Sequence, residues 1–249
     1  MFQILIMYKG KMPTPFIAAL KERRLVAEQT LEFVLQRPNG FEFQAGQSVN
    51  LKVFELTFED ARQGRRSFTI ASPPHEENLV FATRLTGSGF KNTLLQGPLQ
   101  EIEINGPHGK MVHDPSLPAV FIAGGIGVTP FRSMTLQALR NSTGKRITFL
   151  YSNKSKADAA YHQVFADLMQ KHENFIYTPT ITAADESEWD GERGRIDAAF
   201  LRNHVDVAAE AKYYVCGPPK MVQAIIEILK HESVREENIL SESFWGYNS

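Results

Sequence analysis

Along roughly the first hundred residues, apolar and polar positions alternate in short bursts; beyond His113 the rhythm changes to solid apolar runs followed by amphipathic stretches. Alternation with period two puts one face of a strand against a core and the other toward water. Bursts rich in β-branched and aromatic residues, bounded by turn signals such as Pro38-Asn-Gly40 and Ser72-Pro-Pro74, predict strands over Ala18–Arg24, Gln29–Gln36, Ser48–Phe54, Arg66–Ala71, Leu79–Thr86 and Gln100–Asn105. These build an antiparallel sheet or barrel. Farther on, Ala119–Ala123, Arg146–Tyr151, Phe175–Thr180 and Lys212–Cys216 read as strands, interleaved with helices over Pro130–Arg140, Ala159–Lys171, Asp197–His204 and Lys220–Glu232. Strands alternating with helices imply a parallel sheet. The expectation is a two-domain chain, an antiparallel β-barrel over residues 14–113 followed by an α/β parallel-sheet domain over 114–249, with the proline-punctuated stretch from Gly106 to Pro118 as the junction.

Composition narrows the function classes. The chain has 249 residues, 43% of them hydrophobic, enough for two compact cores. Its 27 basic and 28 acidic residues leave a formal charge of -1, so no global field draws nucleic acid or an anionic membrane. The apolar opening Met1–Met7 is interrupted well short of a bilayer span or a signal-peptide apolar region. Cys216 stands alone, which excludes an intrachain disulfide and an all-cysteine metal cage; we read no metal site and expect a cytoplasmic protein.

Four stretches carry candidate chemistry. In Phe121-Ile-Ala-Gly-Gly-Ile-Gly-Val-Thr-Pro-Phe131, clustered glycines stand where a buried strand turns into a helix, a place where backbone can approach a pyrophosphate; a tight turn needing glycine for packing is the rival reading. Tyr213-Tyr-Val-Cys-Gly-Pro-Pro-Lys-Met221 repeats the strand-turn-helix logic and ends its strand at Cys216, which is either beside a ligand or a small packing residue. Gly64-Arg-Arg-Ser-Phe-Thr-Ile-Ala-Ser-Pro-Pro74 offers cations to a diphosphate and the Phe68 ring to a flat ligand, or else is a strand with an exposed basic end. Thr86-Gly-Ser-Gly-Phe-Lys-Asn-Thr-Leu94 supplies backbone donors and a lysine suited to an anion, or is an ordinary loop leading into a helix.

Taken in order, Arg66-Ser-Phe-Thr69, Gly124-Gly-Ile-Gly-Val-Thr-Pro130, Cys216-Gly-Pro-Pro-Lys-Met221 and Phe244-Trp-Gly-Tyr247 resemble the ferredoxin–NADP reductase superfamily over almost the whole chain from about Pro15. The resemblance implies a flavin-binding barrel and an NAD(P)-binding second domain, with hydride passing from NADPH or NADH to FAD and electrons passing on to a separate acceptor. It implies that Arg66 contacts the flavin phosphate, Phe68 stacks on the flavin and Thr69 bonds near its N5, with Ser67 beside them. Phe68 stands where tyrosine is common, so stacking survives while a hydroxyl contact is lost. FAD is preferred over FMN because Gly87, Ser88, Gly89, Phe90, Lys91 and Asn92 resemble a diphosphate-binding segment, Asn92 replacing its usual serine.

In the second domain the resemblance places Gly125, Gly127 and Thr129 at the nucleotide's pyrophosphate and ribose, and Cys216 and Gly217 beside the nicotinamide, with Met221 among the binding residues. Phe244 resembles the terminal aromatic that shields the flavin and yields to nicotinamide, with Trp245 and Tyr247 as rivals; Thr69, Cys216 and Phe244 form the catalytic set. Ribose choice is expected after the second strand. There Ser152 and Lys154, with no acid before Asp158, favour NADPH over NADH. With one cysteine the chain carries no plant-type iron–sulfur cluster, so the acceptor is a ferredoxin- or flavodoxin-like carrier, an oxygenase component or a small molecule. Two rivals remain: a redox-silent flavin- or nucleotide-binding module, and a reductase of free flavin.

Overall fold

The computed structural model describes residues 14–183, 189–207 and 210–245. In the first half, strands β1 (Phe16–Ala27), β2 (Thr30–Gln36), β3 (Ser48–Val53), β4 (Arg65–Thr69), β5 (Asn78–Arg84) and β6 (Glu101–His108) form one antiparallel sheet in the order β4-β3-β6-β1-β2-β5. The sheet curls until its edges meet, where Ala71 N–H, just past β4, donates to Val80 O of β5 at 2.8 Å. Inside lie Leu31, Phe33, Leu51, Phe68, Phe81 and Ile104, the inward members of the alternating pattern. Helix α1 (Gly89–Gln96) follows β5, capped by Ser88, whose side chain accepts from Lys91 N–H.

The second half is a parallel sheet. Its strands β7 (Ala119–Gly124), β8 (Ile147–Asn153), β9 (Phe175–Ile181), β10 (Glu192–Arg193), β11 (Lys212–Gly217) and β12 (Ile239–Ser243) stand in the order β10-β9-β8-β7-β11-β12. Alternation assigns its two faces. Phe121 packs with Phe131 and Phe149 beneath α2 (Val128–Arg140) and α3 (His162–Lys171). Val120 and Ile122 pack with Leu201, Val215 and Ile225 under α4 (Ala198–His204) and α5 (Pro219–His231). Strand order reverses at β7, between β8 and β11, and in open sheets of this kind a crevice opens outside the strand ends there.

Polar contacts pin the halves together. Tyr161 Oη–H donates to Glu32 Oε2 at 2.8 Å, Arg132 Nη1–H to Ala71 O at 2.8 Å and Ser133 Oγ–H to Ser72 O at 2.7 Å; Arg84 of β5 pairs with Asp158.

The strands and helices expected from pattern are present, with shifted ends. Three elements were not expected, one of them the two-residue strand β10, which pairs with β9 from Glu192–Thr180 to Arg193–Ile181. Helix α1 opens on glycine and contains Asn and Thr, weak helix formers, and forms because Phe90 and Leu94 are buried in the barrel core. Strand β12, Ile-Leu-Ser-Glu-Ser, lacks a strong apolar run and gains its place by pairing with β11 from Tyr213–Ile239 to Gly217–Ser243. Helix α3 begins at His162 rather than Ala159 because Tyr161 sits at φ 61°, the left-handed region, tied by its hydroxyl to the barrel.

Candidate functional site

The barrel carries a pocket of about 470 Å³, walled by Arg66, Ser67, Phe68 and Thr69 of β4 and its end, Ser88 and Lys91 at the start of α1, Thr129 of α2, and Glu242 to Trp245 from the end of the sheet. Three of its lining groups are cations. Arg66 is gripped by Asp60, with Nη2 donating to Oδ1 at 2.5 Å and Nη1 to Oδ2 at 2.9 Å, and its guanidinium lies over the Phe90 ring. Asp60 also accepts from the backbone N–H groups of Arg62, Gly64 and Phe90. Burial works against its charge, but the Arg66 guanidinium and the N–H groups of Phe90 and Gly64 hold the carboxyl down at about 2. Nothing in the sequence motif singled out Asp60; it stands six residues before Arg66, on the loop after β3.

Lys91 is buried, and its Nζ donates to Arg84 O at 2.7 Å and Thr86 Oγ1 at 3.1 Å. Burial, then repulsion from Arg66 and Arg62, draws its ammonium down to about 8. Cations that repel one another in a shared pocket call for an anion. At the pocket's inner end Thr69 is 5% exposed, and its Oγ1 is a buried polar atom without a partner. Phe68 lines the pocket while packing on Phe33, Phe81 and Phe90, so its ring belongs to the barrel core as well.

The second space is a cleft of about 880 Å³ at the carboxyl ends of β7, β8, β9 and β11. Here backbone and small residues dominate. Gly124, Gly125 and Ile126 line it from the β7 turn, Ser152 and Lys154 from the end of β8, and Gly217, Pro218 and Met221 from the β11 turn. Gly125 has φ +51° and open space where a side chain would stand, and Tyr151 Oη–H holds its carbonyl at 3.1 Å. Gly127 differs, because a Cβ there would stand 2.3 Å from Cys216 O: its missing side chain lets the turn pack on β11 and opens no room for a ligand. The barrel contributes Glu28, Gln29 and Arg84 to this cleft.

Thr86, Ile126 and Phe244 line both spaces, so the pocket and the cleft are contiguous there. Phe244 hangs directly after β12, its N–H donating to Gly217 O at 2.9 Å, and Trp245 beside it is 78% exposed. Tyr247 lies outside the described residues. Cys216 lines neither space; it is fully buried, and burial, then the Glu242 carboxyl opposite it on β12, pushes its thiol well up, so it rests as a neutral thiol. Glu242, missed by motif reading, lines the barrel pocket, and burial raises its carboxyl above the ordinary range.

The structure thus gathers Arg66, Ser67, Phe68, Thr69, Ser88, Lys91, Thr129, Phe244 and Trp245 at one space, and Gly125, Ser152, Lys154, Gly217, Met221 and Phe244 at the other. Gly87, Gly89, Phe90, Asn92, Gly127 and Cys216 line neither space. Thr129 faces the barrel pocket, and its hydroxyl donates back to Ile126 O at 3.2 Å. Missed at the cleft were Arg84, Asn153 and Asp158.

Residues 121–227 match the family described as oxidoreductase NAD-binding domain. The chain is 32% identical over 222 residues to the reductase component DmpP of phenol 2-monooxygenase from Pseudomonas sp. strain CF600, a match covering 86% of this chain and 61% of that protein. The chain therefore spans about three-fifths of that relative's length. Among solved structures it is similar to Amycolatopsis cytochrome P450 reductase GcoB (TM-score 0.79, 23% identity, 93% of this chain and 71% of that one). It is also similar to a ferredoxin NADP+ reductase from Neisseria gonorrhoeae with bound FAD and NADP (TM-score 0.77, 18% identity, 92% and 98%). These likenesses establish the two-part fold.

Proposed function

We propose, for a chain that belongs to the ferredoxin–NADP reductase superfamily, that it is an NAD(P)H-dependent FAD oxidoreductase handing electrons to a separate acceptor. The observation that carries this reading is the contiguity of a cation-rich pocket and a glycine-lined cleft at Thr86, Ile126 and Phe244. We place the division between a flavin-binding and a nucleotide-binding domain at residues 113 and 114.

The pocket fits FAD on two counts. Arg62, Arg66 and Lys91 supply the charge that a diphosphate requires, and the unpartnered Thr69 Oγ1 supplies a hydrogen-bonding group where a ring system needs one. When bound, the flavin supplies the capacity to take a hydride from nicotinamide and release electrons onward.

The remaining work is positional. Asp60 fixes the Arg66 fork before any ligand arrives, so little rotamer freedom is lost on binding. Phe244 closes the boundary between the two spaces and swings aside to admit nicotinamide. The neutral Cys216 thiol, packed behind the β11 turn, sets the depth of the nicotinamide end without acting as a nucleophile. Glu242, with its raised carboxyl, holds a proton beside the pocket over a wider pH range than a free glutamate. The relatives named as oxygenase reductase components favour an oxygenase component as acceptor. The free thiol of Cys216 suits a reducing cytoplasm.

Anaerobic stopped-flow mixing of the purified yellow protein with NADH or NADPH tests the reading. Rapid loss of visible flavin absorbance is expected with at least one coenzyme. Retained flavin that neither coenzyme reduces would mark the protein as a redox-silent module, and flavin lost on desalting would mark it as a reductase of free flavin.

A further inference from the structure

The first turn of α1 has little left to give an anion. Three of its first four backbone N–H groups are taken: Phe90 N–H donates to Asp60 Oδ1 at 3.2 Å, Lys91 N–H to Ser88 Oγ at 3.4 Å and Asn92 N–H to Ser88 O at 2.9 Å. A Cβ on Gly89 would stand 2.0 Å from Glu59 O, so the loop that carries Asp60 lies directly on this turn and the glycine admits it. The backbone donors that the sequence offered to a diphosphate are largely occupied by the protein's own oxygens.

Arg66 keeps what the helix has given up. A guanidinium carries five N–H donors in a fixed planar fork. Nη1 uses both of its hydrogens, on Asp60 Oδ2 at 2.9 Å and Arg65 O at 2.7 Å, and Nη2 gives one to Asp60 Oδ1 at 2.5 Å. The second Nη2–H and the Nε–H make no bond among the described residues. These two lie parallel on one edge of the fork, spaced to meet two oxygens of one phosphate. Asp60 holds the neighbouring edge from the buried side, its side chain 1% exposed, while Arg66 lines the pocket.

Charge alone gives Asp60 the wrong sign. A buried carboxylate against Arg66 offsets its cation and repels a phosphate, so plain Coulomb attraction would be stronger without it. We propose that Asp60 is the positioning residue of the barrel's anion site: by taking one edge of Arg66 and one donor of α1, it directs the flavin's phosphate to the Nε–Nη2 edge, so that side chains rather than the helix terminus hold it. Asp60 touches no ligand and acts through Arg66. This deepens the reading of the pocket as a flavin site and rests on it.

Dilution of the FAD-loaded protein, with recovery of flavin fluorescence measuring release, separates positioning from charge. Asp60→Asn, which makes the pocket more positive, should nevertheless weaken FAD about tenfold. Arg66→Met should weaken it at least as much, and the double variant no more than Arg66→Met alone. Arg66→Lys, which keeps the charge but not the paired donors, should lose as much as Arg66→Met, a comparison that stands even if Asp60→Asn does not fold. Tighter FAD binding by Asp60→Asn would overturn the proposal in favour of simple charge. Additive losses in the double variant would reduce Asp60 to a support of its loop, and full retention by Arg66→Lys would remove the two-point contact. Wild-type protein that neither carries nor takes up flavin would instead bring down the flavin-site reading itself.

Discussion

The barrel pocket and the sheet cleft are built from opposite materials. The pocket is made by charged side chains held in place before a ligand arrives: Arg66 in the grip of Asp60, Lys91 buried against Arg84 O and Thr86, and Arg62 nearby. Much of the cleft is made by backbone, through turns that depend on missing side chains at Gly125 and Gly127 and on the proline turn after β11. The difference teaches where each space is vulnerable. Changes in the pocket should alter affinity and its pH dependence, while changes at the cleft's turns should alter the fold itself.

The largest effect should come from Gly127→Ala. Its Cβ would collide with the Cys216 carbonyl, backbone against backbone, and a loss of about 3 kcal/mol or more is expected. Gly125→Ala meets open space and bears only the strain of its positive φ, about 1 kcal/mol. Urea unfolding followed by circular dichroism separates the two, and equal losses would break the distinction between a packing glycine and a ligand-facing one.

Next in size is Lys91→Met. Removing this buried cation should weaken FAD binding on the order of tenfold to a hundredfold, as expected for a desolvated charged contact. The sign of the pH effect follows from its lowered value. The flavin-free folded protein releases the Lys91 proton near pH 8, below the ordinary 10.5, so its stability rises with pH through that window while the unfolded chain still holds its proton. Binding an anion draws the proton back onto Lys91; FAD affinity should therefore fall as pH climbs above about 8, and the step should vanish in Lys91→Met. A fluorescence titration of flavin at several pH values reads both effects, and a flat wild-type profile would defeat them.

The smallest is Glu242→Gln. Because burial raises this carboxyl above the ordinary 4.5, the folded state holds its proton more tightly than the unfolded chain and loses stability as pH rises through the raised value. Neutral glutamine removes that loss, so the variant should melt slightly higher than wild type at pH 7 and at the same temperature at pH 4. A lower melting temperature at pH 7 would show that the carboxylate is stabilised by the pocket's cations instead.

The same contrast explains what the sequence made legible. Alternation and apolar runs located most strands because a strand's face is written in its own residues, and the glycine motifs marked both turns of the cleft. They did not separate Gly125 from Gly127, since one faces open space and the other faces β11, and that depends on a strand some ninety residues away. Asp60 was invisible because its meaning lies in the fold of the loop that brings it onto Arg66, and Glu242 because β12 is a strand only by pairing with β11.

The polar pins between the halves bear on how such a chain can be rebuilt. Arg84 comes from one half and Asp158 from the other, Glu32 from one and Tyr161 from the other, and Arg84 and Asp158 themselves line the cleft. Neither half owns a finished binding surface. A chimera that exchanged only the barrel for a distant counterpart would bring each seam residue to a mate chosen for a different neighbour, so hybrids of this architecture should be cut to carry both members of each seam pair together.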